Sequence, residues 1–179
     1  NSSTDRIIAM QGTTGGVTLN GNGVGAVDYA GGAAGYSTGA KTLTLSGTSA
    51  TSVVNRVNGV ADGIGTITLA KSGTNLWEVY GTSSYTGATQ INDGTLQIGN
   101  DNALPVATAV RVGTGTTAGT FDLNGFNQTI GSLLVQTNSN AVTNNIVVDS
   151  GKTLMVNGAV AIGVNADNSD TNLTASGGG

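Results

Sequence analysis

The sequence contains no cysteine and no histidine, one proline, and only 9% charged residues among 179. Without cysteine the chain forms no disulfide, no thiol nucleophile and no cysteine-ligated zinc or iron–sulfur site. Without histidine it lacks the most common general base, the usual serine triad and the most common metal ligand. We therefore expect a protein that is not an enzyme, with no catalytic residues, no cofactor and no metal site.

Basic residues are also scarce, with six Lys and Arg against ten Asp and Glu and a formal net charge of −4. A chain of this charge is a poor partner for nucleic acid or for an anionic membrane surface. Its apolar runs are only a few residues long, which predicts no membrane insertion by this segment. The polar start at residues 1–5 shows no signal-peptide pattern, so we expect a mature product or a fragment of something larger.

Four residue types dominate what is present: 30 Gly, 27 Thr, 19 Asn and 14 Ser make up half of the sequence. A short motif recurs among them, with a threonine or small residue, an apolar, a polar and an apolar residue, and then a turn residue. The first apolar residues of its copies are Leu43, Ile67, Leu96, Phe121, Leu154 and Leu173. A motif that recurs every 20–50 residues or so is typical of a solenoid or a repeat array.

Each copy alternates with a period of two, and glycine- and asparagine-rich corners separate the copies. No segment has a helical apolar period, so the chain is expected to be all-β. A β-sandwich is the main competitor, but it usually buries many aromatic side chains, and only seven are present. We predict a single β-solenoid over residues 1–179, with about six to eight turns. The residues expected to point inward in stacked ranks are Leu43, Leu45, Ile67, Leu69, Leu96, Ile98, Phe121, Leu123, Leu154 and Val156.

Residues 69–100 resemble the passenger-associated transport repeat of bacterial autotransporters, through Trp77, the Tyr85-Thr86-Gly87 triplet and the stretch Asn92-Asp93-Gly94-Thr95-Leu96. Ala103-Leu104-Pro105 fits the same pattern, and residues 121–133 look like the turn that follows this repeat. The close match covers about residues 65–134. The resemblance implies a right-handed parallel β-helix, exported from the cell, in which the repeat is structural. It transfers no catalytic residues, and the serine-protease motif of some passengers is absent.

The acidic residues are scattered singly, as Asp62, Glu78, Asp93, Asp101, Asp122 and Asp149. Polysaccharide cleavage, the main enzymatic alternative for a β-helix, needs paired carboxylates. We interpret these acids as solvated structural residues. The alternative is that stacked turns bring Glu78 and Asp122 together.

Three further features each have a functional and a structural interpretation. Residues 165–170 carry Asp167 and Asp170 beside two amides, which suits a weak calcium site or an ordinary polar loop. Tyr80 and Tyr85 either stack on sugar rings or cover a corner. The pairs Thr42/Thr44 and Thr66/Thr68 resemble the threonine ranks of ice-binding solenoids, but ordinary outer-face threonines are expected.

These observations favour an extracellular or cell-surface structural and adhesive module, a rigid stalk or fibre segment on the exterior of the bacterial outer membrane. Residues 6–10 and 172–179 show no capping pattern, so the expected partners are further turns of the same polypeptide or other copies stacked head-to-tail. Surface glycans are a second class of expected partner. A carbohydrate-binding or polysaccharide-degrading β-helix protein is the alternative.

Overall fold

The computed structural model describes residues 1–114, 116–137, 143–164 and 173–176. Every regular element among these residues is a β-strand, which confirms the all-β prediction. In chain order the strands are β1 (Ser2–Thr4), β2 (Ile8–Met10), β3 (Gly16–Asn20), β4 (Val27–Tyr29), β5 (Ala33–Gly35), β6 (Lys41–Ser46), β7 (Val54–Val57), β8 (Val60–Ala61), β9 (Ile67–Lys71), β10 (Leu76–Val79), β11 (Thr89–Ile91), β12 (Gly94–Ile98), β13 (Ala109–Val112), β14 (Gly119–Asp122), β15 (Gln128–Ile130), β16 (Ser132–Thr137), β17 (Asn144–Val147), β18 (Leu154–Val156), β19 (Val160–Val164) and β20 (Leu173–Ser176).

The strands stack as a parallel coil. One side is an eight-stranded sheet in the order β1-β4-β7-β10-β12-β14-β17-β20, and a second side is a seven-stranded sheet in the order β3-β6-β9-β11-β13-β16-β19. Neighbours in each sheet come from consecutive turns and pair in parallel, as Trp77 does with Leu96 and Leu96 with Phe121. The arrangement confirms the β-solenoid with about six to eight turns and excludes the β-sandwich.

The third side of the coil is discontinuous. Strands β2-β5-β8 form a three-stranded sheet at one end, and β15-β18 form a two-stranded sheet at the other. The turns between them contribute residues 82–86 and 102–107, which are not strands but still bond to their neighbours, as the Ser84 amide does to the Val60 carbonyl at 2.8 Å. The Gln128 side chain accepts from the Leu104 amide at 3.1 Å and donates to its carbonyl at 3.0 Å, so it replaces a missing strand partner.

The core is a narrow column of inward apolar side chains. Eight of the ten residues predicted to point inward are fully buried, whereas Leu154 and Val156 are only partly buried. Several of these residues stack in ranks, as predicted, but in two different sheets. Leu43 stacks on Leu69 in the seven-stranded sheet, and Leu96 stacks on Phe121 in the eight-stranded sheet. The turns differ in length, so the six copies of the motif are divided among three sheets: two lie in the seven-stranded sheet, three in the eight-stranded sheet and one in the two-stranded sheet.

The corners are tied together by asparagine and aspartate side chains. Asn127 illustrates the pattern, because its amide donates to Asp101 Oδ1 at 2.6 Å and its Oδ1 accepts from the Thr153 amide at 3.0 Å. Asn22 likewise accepts from the Thr48 amide, 26 residues later, at 3.0 Å. Such bonds satisfy amides that a sharp corner leaves without a ladder partner. These corner bonds give much of the asparagine in the sequence a structural role.

Candidate functional surfaces

Charged and polar side chains form a column on the outer face of the eight-stranded sheet. Strand register places them one above another, in the order Asp28, Arg56, Glu78, Gln97 and Asp122; we call this set the charged column. The Arg56 Nε lies 3.1 Å from Glu78 Oε1, and Gln97 Nε2 donates to Asp122 Oδ2 at 2.9 Å. The hydroxyl of Tyr80 donates to Asp28 Oδ1 at 3.2 Å. Most members of the column are therefore engaged with one another.

Glu78 departs from the prediction that the acids are solvated. Trp77 and Val79 face the core, so Glu78 faces outward, yet only 6% of it is exposed. Burial raises the pKa of Glu78 above its ordinary value, the adjacent Arg56 lowers this pKa, and Asp28 raises it. The ion pair with Arg56, whose side chain is half-exposed, compensates a carboxylate that the packing of neighbouring turns removes from water.

Glu78 and Asp122 share the charged column but do not form a pair. Gln97 lies between them, so their strands are two spacings apart, or about 9.5 Å. Retaining glycosidases hold their two carboxyl groups about 5–5.5 Å apart, and inverting enzymes hold them about 6.5–9.5 Å apart. The spacing of the two strands is therefore closer to the carboxyl separation of inverting enzymes than to that of retaining enzymes.

The remaining predicted acids in the described residues hold corners. Asp62 accepts from the Ile67 amide at 2.7 Å and from the Thr86 amide at 2.9 Å, which ties two turns together. Asp93 accepts from the Gly94 amide at 2.9 Å. Asp101 and Asp149 accept from the Asn127 and Gly125 amides of neighbouring turns. These bonds are consistent with the interpretation of the four aspartates as structural residues.

Two lysines occupy inward positions that the sequence interpretation did not single out. The Lys71 side chain is fully buried, and its Nζ donates to the carbonyls of Ser72, Gly73 and Asp93 at 2.9, 2.6 and 3.1 Å. Lys41 donates in the same way to three carbonyls of residues 37–39. Burial lowers the pKa of Lys71 to about 8, although Asp93 raises it in part. The alternation of both strands already placed these lysines on the inward side.

Tyr85 is unavailable for stacking on a sugar ring. Only 1% of it is exposed, and its hydroxyl lies 2.5 Å from Thr89 Oγ1, which in turn lies 3.0 Å from Thr108 Oγ1. Burial raises the pKa of Tyr85. Tyr80 bonds to Asp28 instead, so of the two tyrosines one is a core residue and the other belongs to the charged face.

The threonine pairs do not form the rank that their motif suggests. Thr42 stacks on Thr68, but Thr44 stacks on Ala70, because the register between β6 and β9 is shifted by two residues relative to the motif. Thr66 lies outside β9. The outer face of the seven-stranded sheet is consequently not a flat threonine array.

Within the described residues, no group of three or more acidic, histidine or cysteine side chains is placed to hold a metal ion. Residues 165–170, with Asp167 and Asp170, lie outside the described residues. No helix in the described part of the chain has the length and apolar character that a membrane crossing requires.

Two cavities lie next to each other on the third side of the coil. One, of about 230 Å³, is lined by residues from Ile7 to Thr82, the other, of about 410 Å³, by residues from Thr82 to Thr108, and Thr82 lines both. We call these two cavities together the axial groove. No charged side chain lines either cavity. Sequence reasoning missed this groove, although the small residues Gly31-Gly32-Ala33-Ala34 and the hydroxyl run Thr82-Ser83-Ser84 were its available signals.

Comparison with known proteins adds no relative: no protein-family model, no curated protein and no solved structure matches this chain.

Proposed function

We propose that this chain is a non-enzymatic structural and adhesive module, a rigid β-helical stalk or fibre segment of a bacterial surface protein. We place it outside the cell, on the exterior of the outer membrane, as the likeness of residues 65–134 to autotransporter passenger repeats implies. The continuous parallel coil supports a stalk, because its backbone bonds run along the axis from turn to turn.

The observation that carries the proposal lies at the last turns of the coil. Val160 and Ile162 occupy inward positions, where they pair with Leu133 and Val135, which are 6% and 0% exposed. Nevertheless Val160 is 58% exposed and Ile162 is 46% exposed. At the opposite end, Val17 of the edge strand β3 pairs with the fully buried Leu43, yet it is itself only partly buried. Apolar core positions and open strand edges of this kind favour the addition of another turn.

The partner at each end is a further turn of the same polypeptide or a second copy in head-to-tail contact. A head-to-tail contact uses different surfaces on the two partners, so it does not close and grows into a fibre. With a net charge of −4, the chain offers little electrostatic repulsion against such growth.

Substitutions that introduce charged side chains at the exposed end of the coil are expected to prevent this assembly. The double variant Val160→Lys and Ile162→Lys places two ammonium groups over the edge of β19, where an incoming turn has to desolvate them. Sedimentation velocity should show concentration-dependent growth for the parent chain and monomers for the variant. Ile64→Lys is the matched control, since Ile64 is 70% exposed in the corner between β8 and β9. Growth that persists in the double variant, or that Ile64→Lys abolishes equally, contradicts end-to-end assembly.

A second candidate function, hydrolysis of a polysaccharide, is favoured by one observation, the spacing of Glu78 and Asp122. In that reaction Glu78, whose pKa is raised, is the general acid and Asp122 activates water. Incubation with a panel of polysaccharides, followed by measurement of released reducing ends, separates the two functions. The structural proposal expects no release. Release that disappears in Glu78→Gln would establish the hydrolase instead.

A further inference from the structure

We propose that Asn22 is a site of spontaneous covalent modification, where the side-chain amide is lost as ammonia and aspartate or isoaspartate is formed. Asparagine is a thermally labile residue, and it reacts most readily before glycine, which lets the backbone rotate and places no side chain beside the reacting nitrogen. The sequence contains five such pairs, which begin at Asn20, Asn22, Asn58, Asn124 and Asn157. Their surroundings differ, and those of Asn22 favour the reaction. The inference is independent of the proposed function.

The reaction needs only the chain itself and water. The backbone nitrogen of Gly23 attacks Cγ of Asn22, the new N–Cγ bond closes a succinimide ring, and the Cγ–Nδ2 bond breaks. Ammonia leaves with the proton of the Gly23 amide. Water then opens the ring: cleavage of the N–Cγ bond gives aspartate, and cleavage of the original peptide bond gives isoaspartate. No atom is oxidised or reduced.

The backbone after Asn22 is not held by neighbouring turns. Among the hydrogen bonds of the described residues, none uses a backbone group of residues 23–25. Asn22 and Gly23 are exposed, and a Cβ atom added to Gly23 would lie no closer than 3.7 Å to a surrounding atom. Val24 is fully exposed. The Gly23 nitrogen can therefore lose its proton to water and turn toward Cγ without first breaking a bond.

The side chain of Asn22 is held in a way that assists the attack. Its Oδ1 accepts from the Thr48 amide at 3.0 Å, so a backbone N–H already lies where negative charge develops on this oxygen in the tetrahedral intermediate. Within the described residues, no other asparagine of the five pairs has a side-chain carbonyl that accepts a hydrogen bond. The neighbouring turn thus supplies an oxyanion donor to this pair alone.

In two of the other pairs, the attacking nitrogen is itself bonded. The Gly21 amide is buried and donates to the Ser46 carbonyl at 2.9 Å, and the Gly125 amide donates to the Asp149 carboxylate on the next turn. Removal of either proton first requires a hydrogen bond of the coil to break. Folding is therefore expected to protect both pairs.

In the remaining two pairs, contacts with neighbouring turns restrain the groups that have to move. The leaving group of Asn58, Nδ2, donates to the Ala30 carbonyl at 2.7 Å. Gly158 lies against another turn, because a Cβ atom added to it would be 2.5 Å from the Gly131 carbonyl oxygen. Its peptide has little room to turn toward the side chain of the preceding asparagine. Folding is expected to protect these pairs as well.

The modification changes the corner between β3 and β4. In isoaspartate the backbone runs through the former side chain of residue 22, so the chain between Gly21 and Ala26 becomes one carbon longer and gains a free carboxylate. The Ala26 carbonyl accepts from the Ser2 amide of the edge strand β1 at 3.0 Å. The longer corner therefore alters the segment that positions the first strand of the coil.

The test is the rate of modification at all five pairs in one sample of the full chain. The chain is incubated in heavy-oxygen water, either folded or unfolded in guanidinium chloride, and tandem mass spectrometry of its peptides follows the oxygen that each ring opening inserts. We expect similar rates at the five pairs in the unfolded chain. On folding, Asn22 should react at least as fast, and the other four about tenfold more slowly or less, as an opening cost near that of one hydrogen bond implies.

Gly23→Ala tests the attacking nitrogen. It adds a methyl group beside this nitrogen at a position with room for it, and it should slow the reaction at Asn22 by about tenfold while the other four pairs keep their rates. Val24→Ala is the matched control, because it changes the next side chain of the same corner and should leave the rate at Asn22 unchanged. Circular dichroism of each variant verifies that it has folded.

Four outcomes overturn the proposal. Folding slows Asn22 as much as the other pairs, another pair reacts as fast as Asn22 in the folded chain, Gly23→Ala leaves the rate at Asn22 unchanged, or the two variants slow it equally. Sedimentation is not part of this test, so its result and that of the proposed end-to-end assembly are obtained separately.

Discussion

Truncation of Leu96 to alanine is expected to lower the free energy of unfolding by about 2–5 kcal/mol. Leu96 is fully buried and pairs with Trp77 on one turn and with Phe121 on the next, so its truncation leaves a cavity in the core. Urea denaturation followed by Trp77 fluorescence measures the change, since Trp77 is the only tryptophan in the sequence.

Gln97→Ala is the matched control for Leu96→Ala. Gln97 follows Leu96 in the same strand but faces outward, where its side chain bonds to Asp122 on a half-buried surface. Its truncation should cost about 1 kcal/mol or less, the usual net value of a single hydrogen bond. If Gln97→Ala proves as damaging as Leu96→Ala, the strand register described above is wrong by one residue.

The free energy of unfolding should rise, rather than fall, between pH 8 and pH 10. Burial lowers the pKa of Lys71 from 10.5 to about 8 in the folded chain, so over this range the unfolded chain binds more protons than the folded one. Stability therefore increases with pH and is lost again as the pH falls through 8. The full difference between the two pKa values corresponds to about 3 kcal/mol. Above pH 10 the raised pKa of Tyr85 acts in the opposite direction, because the unfolded chain then loses its phenolic protons first.

The measurement is a series of urea denaturations at pH 7, 8, 9 and 10 on the parent chain, Lys71→Met and Lys152→Met. Lys71→Met removes the buried amine and should abolish the rise. Lys152 is exposed, so its replacement should leave the rise intact. A flat or falling profile in the parent chain, or an undiminished rise in Lys71→Met, contradicts this account of the buried lysine.

The period-two alternation was sufficient to predict the class of fold and most of the core. Leu43, Leu45, Leu96 and Ile98 are buried as predicted. The alternation determines which side chains of a strand face the core, and it does so on every side of the coil. The same alternation placed Lys71 inward. The sequence analysis did not single out this lysine, because the three carbonyls that bind its ammonium group come from the corner after β9 and from Asp93 on the next turn, which local sequence does not reveal.

The alignment of one turn with the next could not be predicted from the sequence. Leu43 stacks on Leu69, and Ile67 pairs with Lys41, so the two copies of the motif are shifted by two residues relative to each other. The lengths of the corners set this register, and no local pattern encodes them. For the same reason the stacking of Glu78 and Asp122 was only an alternative to solvated acids, and the sequence revealed neither Gln97 between them nor Arg56 on the other side of Glu78. The axial groove depends on the interruption of the third sheet, which is a property of several turns at once.

Head-to-tail cross-linking tests the central claim, that the ends of the coil complete one another, most directly. The parent chain has no cysteine, so a variant with Thr18→Cys and Ala161→Cys carries one thiol on each edge strand of the seven-stranded sheet. Within one copy these positions are six strand spacings apart, about 29 Å, and no disulfide joins them. Across a head-to-tail contact they lie about one spacing apart, which a disulfide spans. Mild oxidation should then give a ladder of dimers, trimers and longer species on a non-reducing gel, while each single variant stops at dimers. Monomers and dimers alone from the double variant, at concentrations where the parent chain is folded, would contradict the claim.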